Sequence, residues 1–445
     1  MMTNLATDEQ TIEDLGIFGK HNDSGIYHLY DQTQTRGGEA LLKKLFLHPI
    51  ADKDEINRRS GIIEYFATRK IAFPFDAILF DMAEKYLTNV QEQGKIKGQK
   101  VTLGEREIQY GVTAIIALIQ GLGNFIMTED VIALAAYHKE REQIVTLLAD
   151  PALKPVLSET VRDRLPYTAI AAYDVLFSLQ EYNKIQELLG YIYHLDVYLS
   201  VAKLAGERKL VFPKALEKGL GVLRLKGVYH PELKHPVANT IIMDNHNSVI
   251  FLTGANMAGK STFLRSVSTA VYVAHIGFPV AAEAMEFSVL DGMYTTINLP
   301  DNLGMGASHF YNEVLRVKKI ATQLHQGKAL FVVFDELFRG TNVKDAHEAT
   351  VAVTNAFAKK TRSLFIISSH IVEAGEELKK APNIGFQYLP TRMNGHIPEY
   401  TYTLEQGITD DRHGMIIIRN EGILDILKKG RENMHLLIKK MYEDE

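Results

Sequence analysis

Apolar residues in the first half of the chain recur at helical spacing. In Gln180–Ala205, Ile185, Leu188, Leu189, Ile192 and Leu195 fall on one face of a 3.6-residue repeat. Glu129–Gln143 and Lys154–Arg164 share this texture and predict two further helices. Thr33 and Thr35 precede a run through Leu41, Leu42 and Leu45 that stops near Pro49. That order reads as a cap, an amphipathic helix and a proline stop. Gly111–Thr128 carries no charge, but three glycines, a glutamine and an asparagine dilute its apolar run. It reads as a buried helix pair rather than a membrane span.

The pattern changes near Lys234-His235-Pro236. Beyond it, short continuous apolar runs alternate with helical segments: Ser248–Thr253, Ala329–Asp335 and Ser363–Ser369. Runs of that length suit strands buried on both faces of a mostly parallel sheet. The expected fold class is therefore multidomain, with an all-α domain over 1–235 and an α/β domain over 236–445.

Length and composition leave room for both. The 445 residues are 46% apolar and 23% charged, enough for two packed cores. There is no cysteine, which excludes disulfides and cysteine-held zinc and fits a cytoplasmic protein. The polar, acidic start, MMTNLATDEQTIEDLG, lacks the features of a signal peptide. Net charge is −5 and neither half is basic, so bulk charge announces no nucleic-acid partner. The most basic run, Lys203–Lys234, is the one local candidate for phosphate-backbone contact.

Chemistry enters after the first predicted strand. Gly254, Ala255, Asn256, Met257, Ala258, Gly259, Lys260, Ser261 and Thr262 follow the G-x-x-x-x-G-K-[ST] pattern and open an amphipathic helix. The glycines let backbone N–H groups curl around a phosphate, and the helix start adds its partial positive charge. Lys260 is expected to reach the β- and γ-phosphates of ATP, and Ser261 to ligate Mg²⁺. Asp335 and Glu336 end a second apolar strand. Asp335 is the expected Mg²⁺ ligand and Glu336 the acceptor that polarises water. No Asn-Lys-x-Asp or Thr-Lys-x-Asp guanine reader is present, so the expected nucleotide is ATP. His370 ends the third strand and is expected to sense the γ-phosphate. His275, His309, His325 and His347 read as ordinary surface or helix residues.

Asp301–Gly327 begins with a glycine-rich loop ending at Ser308. A helix follows, with Phe310, Val314, Val317, Ala321 and Leu324 predicted on one face and Gly327 closing it. A second anion-seeking helix start beside a chain that already holds its phosphate loop suggests a site completed by a partner. Two nucleotides would lie between head-to-tail pockets of a two-fold homodimer, as in ABC-type ATPases.

These residues together resemble the DNA mismatch repair MutS family. GANMAGKST, GFPVAAEAMEF (Gly277–Phe287), DNLGMGASHF, DELFRGTN and SSH occur in that family's order and approximate spacing. Asp31–Arg59 resembles the entry to its helical core and levers. The resemblance implies that Lys260, Ser261, Asp335, Glu336, Ser308 (in trans) and His370 form an ATP·Mg²⁺ hydrolysis site. It also implies that Arg339–Asn342 is a dimer-interface loop and that the tail from His413 forms closing helices. Ala255 and Ala258 replace the family's usual Pro and Gly, Phe338 its Gly, and Leu45 its Trp. No counterpart of the family's mismatch-reading domain precedes Asp31. The expected activity is thus ATP hydrolysis coupled to DNA binding through the backbone in repair or recombination, with protein partners in repair and no membrane. The alternative is an ATP-driven protein-interaction switch that does not bind DNA.

Overall fold

A computed structural model describes residues 3–19, 25–95, 103–160, 165–297, 309–394, 397–409, 422–424 and 426–427. In chain order the helices begin with α1 (Glu9–Asp14), α2 (Ile26–Tyr30), α3 (Arg36–Leu47), α4 (Lys53–Arg69), α5 (Ala77–Lys95) and α6 (Glu105–Ile126). They continue with α7 (Glu129–Ala133), α8 (His138–Leu148), α9 (Lys154–Ser158), α10 (Tyr167–Val175) and α11 (Tyr182–Arg208). The strands and helices after them are β1 (Lys214–Leu216), β2 (Leu223–Val228), β3 (Asn239–Met243), β4 (Val249–Gly254), α12 (Lys260–Ile276), β5 (Ala284–Ser288) and β6 (Gly292–Thr296). Then come α13 (His309–His325), β7 (Leu330–Phe334), α14 (Val343–Ala358), β8 (Leu364–Ser368), α15 (Val372–Leu378) and β9 (Ile384–Leu389). The last strands are β10 (Thr391–Asn394), β11 (Ile397–Tyr400) and β12 (Glu405–Gln406). A helical N-terminal region is thus followed by a mixed α/β region.

Two compact units result. One contains Met1–Asn4, Gly16–Ala215 and Val273–Val280; the other contains Leu5–Leu15, Leu216–Tyr272 and Ala281–Glu445.

The helical unit is organised on α11, which buries Ile185, Leu188, Leu189, Ile192 and Leu195 as its periodicity predicts. α3 and α4 pack against it. Asp196 of α11 is fully buried and fixes the entry to α3. It accepts from the Gln34 N–H at 3.0 Å, the Thr35 N–H at 2.9 Å and the Thr35 hydroxyl at 2.7 Å. Thr35 in turn caps α3 by accepting from the Gly38 N–H at 2.9 Å. Burial raises the pKa of Asp196 and those bonds oppose the shift.

Three helical expectations need correction. Gly111–Thr128 is not a helix pair: α6 runs unbroken to Ile126, because Gly121 and Gly123 cost too little to stop a helix that buries Ile115, Ile119 and Leu122. It is the one helix among the described residues long and apolar enough to cross a membrane, and half of that window is buried within the protein. Gly111 serves close packing instead. A Cβ there would lie 2.3 Å from Tyr86 Cβ on α5. Glu129–Gln143 is broken into α7, a 3₁₀ turn at Ala135–Tyr137 and the start of α8, so that Val131, Leu134 and Tyr137 can all be buried. Lys154–Arg164 is helical only through Ser158, and 161–164 lie outside the described residues.

In the sheet unit, a six-stranded sheet has the order β12-β9-β4-β8-β7-β6. β9, β4, β8, β7 and β6 are parallel, and β12 pairs antiparallel with β9. Every residue of β4, β7 and β8 is buried, as continuous apolar runs require. A four-stranded sheet, β1-β5-β2-β3, and the β10–β11 hairpin complete the unit. α13 turns much of its predicted face inward, with Phe310, Val317 and Leu324 on the core, but the buried stripe is rotated slightly from the predicted one. Val314 is 36% exposed and Ala321 is exposed, while Glu313, Ile320 and Leu324 are buried, with Phe310 and Val317 packed beside them. The two faces are adjacent, and the one burying Ile320 in place of Ala321 removes more apolar surface from water.

Candidate active site

β4 leads directly into the glycine-rich loop. Gly254 has φ +153°, and a Cβ there would stand 3.1 Å from the Leu389 carbonyl on the neighbouring strand. Gly259 has φ +96°, and its Cβ would fall 2.9 Å from the Tyr402 ring. Only glycine satisfies both the angle and the space at that second position. Between them Ala258 is buried, Ala255 is half-buried, and Asn256 and Met257 are exposed at the tip, with Met257 at φ +68°. α12 then starts at Lys260, so its N-terminal partial charge faces the loop.

Lys260 is buried. Its ammonium donates to the carbonyl of Gly254 at 2.8 Å and that of Ala255 at 3.1 Å. Burial pushes its pKa down, while the charges of Asp335 and Glu336 pull it up. A buried cation satisfied only by its own loop is positioned for an anion inside that loop.

At the next residue, the Ser261 hydroxyl is hydrogen-bonded to Asp335 Oδ2. The other carboxylate oxygen, Oδ1, is buried without a hydrogen-bond partner. The backbone of Asp335 is fixed separately, its N–H donating to Thr296 O on β6 at 2.9 Å. A serine hydroxyl beside a carboxylate with one unsatisfied oxygen fits a small hard cation held otherwise by phosphate and water. Among the described residues no cluster of three or more His, Cys, Asp or Glu side chains exists that could hold a metal ion.

Glu336 follows at φ +56°. His370 Nε2 lies 2.7 Å from its Oε1, and Arg339 Nη1 donates to its Oε2 at 3.2 Å. The His370 bond, against partial burial and with help from Arg339, brings the pKa of Glu336 down from 4.5 to about 2.

The expected residues Lys260, Ser261, Asp335, Glu336 and His370 are thus brought together at the C-terminal ends of β4, β7 and β8. That is where ligands bind in open parallel sheets. Thr262 is exposed beside them. Ser308 and the tail from His413 lie outside the described residues. Of the other histidines, His275 is fully buried in the last turn of α12, and His347 lies 3.6 Å from Glu377.

Sequence reasoning missed a neighbouring cavity of about 310 Å³, lined by His230, Asn239, Gly259, Thr262, Phe263 and Tyr402 among others. Asn239 holds its wall by donating to Tyr402 O at 2.9 Å and accepting from the Leu404 N–H at 2.7 Å. No local pattern links these residues. Only the packing of the β11–β12 connection against the glycine loop brings Tyr402 over Gly259.

Two family models match the chain. MutS domain III matches residues 10–202 and MutS domain V matches residues 250–437. Among curated proteins, the DNA mismatch repair protein MutS of Fusobacterium nucleatum subsp. nucleatum is 29% identical over 251 residues, covering 54% of this chain. The aligned part amounts to 27% of that relative's length. With domains III and V matched in succession over most of its length, the chain belongs to the MutS family.

Proposed function

We propose that this protein is an ATP hydrolase whose sheet unit is an ABC-type P-loop domain, acting as a homodimer on ATP and Mg²⁺ in a DNA mismatch repair-related role. The observation that carries the reading is the convergence of a buried lysine, a serine–aspartate pair and a histidine-bound glutamate on one glycine loop.

In this reading Lys260 exchanges its bonds to Gly254 O and Ala255 O for phosphate oxygens. Ser261 and Asp335 hold Mg²⁺, which neutralises charge on the β- and γ-phosphates. Glu336 accepts a proton from the attacking water. His370, bonded to Glu336, stands where it can exchange that bond for one to the γ-phosphate. The adenine occupies the cavity beside Tyr402. Ser308 of a second copy reaches the γ-phosphate and closes the dimer. Duplex DNA is bound through its backbone by the family's helical domain.

Phosphate release by the purified chain tests the enzyme, with Lys260→Ala expected to abolish ATP binding. Equal turnover in wild type and Lys260→Ala refutes the site. Light scattering tests the dimer, and a monomer with bound ATP refutes it. Retardation of plain, branched and mismatched duplexes at graded salt tests the DNA reading. The net charge of −5 favours the second reading, an ATP-driven protein switch, and no retardation at low salt on any duplex selects it.

A further inference from the structure

The stretch Leu5–Leu15 plays no part in the reading above, yet it belongs to the sheet unit. Ala6 extends the sheet beyond β6. Its N–H donates to Asp291 O and its carbonyl accepts from the Met293 N–H, both at 2.9 Å. α1 packs on β6. Asp14, 4% exposed, accepts from the Thr295 hydroxyl and the Ile297 N–H, each at 2.8 Å. The fully buried Thr11 hydroxyl accepts from the Thr295 N–H at 3.1 Å.

Arg316 of α13 clamps the same strand end together with this segment. Its guanidinium binds both carboxylate oxygens of Asp8, donates to Thr295 O at 2.7 Å and reaches the Thr296 hydroxyl at 3.3 Å. Lys319 joins Asp8 at 2.6 Å but bonds neither threonine. Arg316 and Lys319 also lie 5.6 and 5.4 Å from the centre of the Tyr294 ring. Burial disfavours the Asp8 carboxylate, but these cations hold it well below the usual carboxylate range.

These contacts converge on Thr295–Ile297, the end of β6. The opposite edge of that peptide run fixes the backbone of Asp335 through Thr296 O. An edge strand frays at its tip unless something holds it. Here the tip is held by a remote segment and bonds directly to the residue that meets Ser261.

Resting on the ATPase reading, we propose that Asp14 and Arg316 are positioning residues for Asp335, and that the N-terminal segment sets the geometry of the Mg²⁺ site through the end of β6. Residues that orient a metal ligand from behind typically change metal affinity about tenfold to a hundredfold when lost.

The test is Mn²⁺ binding to the full chain, followed by electron paramagnetic resonance in the presence of a non-hydrolysable ATP analogue. Arg316→Ala and Asp14→Ala are expected to weaken Mn²⁺ binding by about tenfold or more. Arg316→Lys and Asp14→Asn, which preserve size and fold, are expected to show smaller losses in the same direction. Affinity for the analogue without metal is expected to stay at the wild-type value in all four. Lys319→Ala, which removes a partner of Asp8 but no hydrogen bond to the backbone or threonines of β6, is expected to leave the Mn²⁺ dissociation constant unchanged. A merely structural segment would lower the melting temperature while leaving that constant unchanged in Arg316→Lys and Asp14→Asn. That result overturns the proposal. If the unaltered chain binds no Mn²⁺ with the analogue, the ATPase reading fails and this inference falls with it.

Discussion

Replacing Glu336 by glutamine separates the chemical role of this side chain from its contribution to stability. The carboxylate is bonded to His370 at 2.7 Å and Arg339 at 3.2 Å, and its pKa lies at about 2. At neutral pH it is therefore ionised and able to accept a proton, whereas an amide is not. General-base loss predicts a fall in turnover of about 10²–10⁴. Both contacts are partly exposed, with side-chain exposures of 28% for Glu336, 38% for His370 and 55% for Arg339. Discounted for solvent screening, their loss costs about 1 kcal/mol or less. The variant should thus melt within a few degrees of wild type, bind ATP, and hydrolyse almost none. The assay is single-turnover release of labelled phosphate beside a thermal melt, with light scattering to detect an accumulated ATP-bound dimer. The pH dependence provides a second check. A depressed carboxylate pKa adds stability above the unfolded value of 4.5, lost as pH falls from there towards about 2. Any decline in hydrolysis between pH 7 and 5 must then come from another group. Turnover in Glu336→Gln above about a tenth of wild type would refute the reasoning, because the loss expected from base removal is at least tenfold larger.

Asp196→Ala leaves the buried N–H and hydroxyl of Thr35, and the Gln34 N–H, without that acceptor and should cost about 2–3 kcal/mol, read by urea denaturation. His194 is held at a pKa of about 4 by burial, with Arg59 and Arg58 adding to the effect. The unfolded chain binds that proton first, so stability should fall by about 3 kcal/mol as pH drops from 6.5 to about 4. His194→Gln should flatten that slope in acid melts. Tyr402→Ala should weaken ATP binding about tenfold by removing an aromatic partner for the base, while leaving inorganic triphosphate binding unchanged in calorimetry.

The chemistry was legible wherever it followed a continuous stretch of chain. The runs at Ser248–Thr253, Ala329–Asp335 and Ser363–Ser369 announced buried parallel strands, which form at Val249–Gly254, Leu330–Phe334 and Leu364–Ser368. What escaped depended on distant partners. Nothing in DEQTIEDL shows that Asp8 pairs with Arg316, 308 residues further on. α13 offers two adjacent apolar stripes, and only the packed sheet selects the one with Ile320. The broken helix at 129–143 escaped for a related reason. Periodicity reports a face, whereas burying Val131, Leu134 and Tyr137 together required a change of direction that no glycine or proline marks.

The turn after β7 connects the readable and unreadable parts. Glu336 and Phe338 both adopt the left-handed region, at φ +56° and +62°. Non-glycine residues pay about 1–2 kcal/mol each for that conformation. Phe338 offsets the strain through burial: it is 3% exposed, belongs to the core around β7, and sets its ring 5.8 Å from that of Phe310 on α13. Between the two, the Leu337 N–H faces Ser368 O of β8 at 3.4 Å. A strained residue persists only where its surroundings over-determine it. Here a buried aromatic on one side and the adjacent strand on the other hold the backbone that aims Glu336 at His370. The carboxylate's direction is therefore a property of the core beneath it, and relaxing that core should disturb the Glu336–His370 pair before it unfolds the sheet.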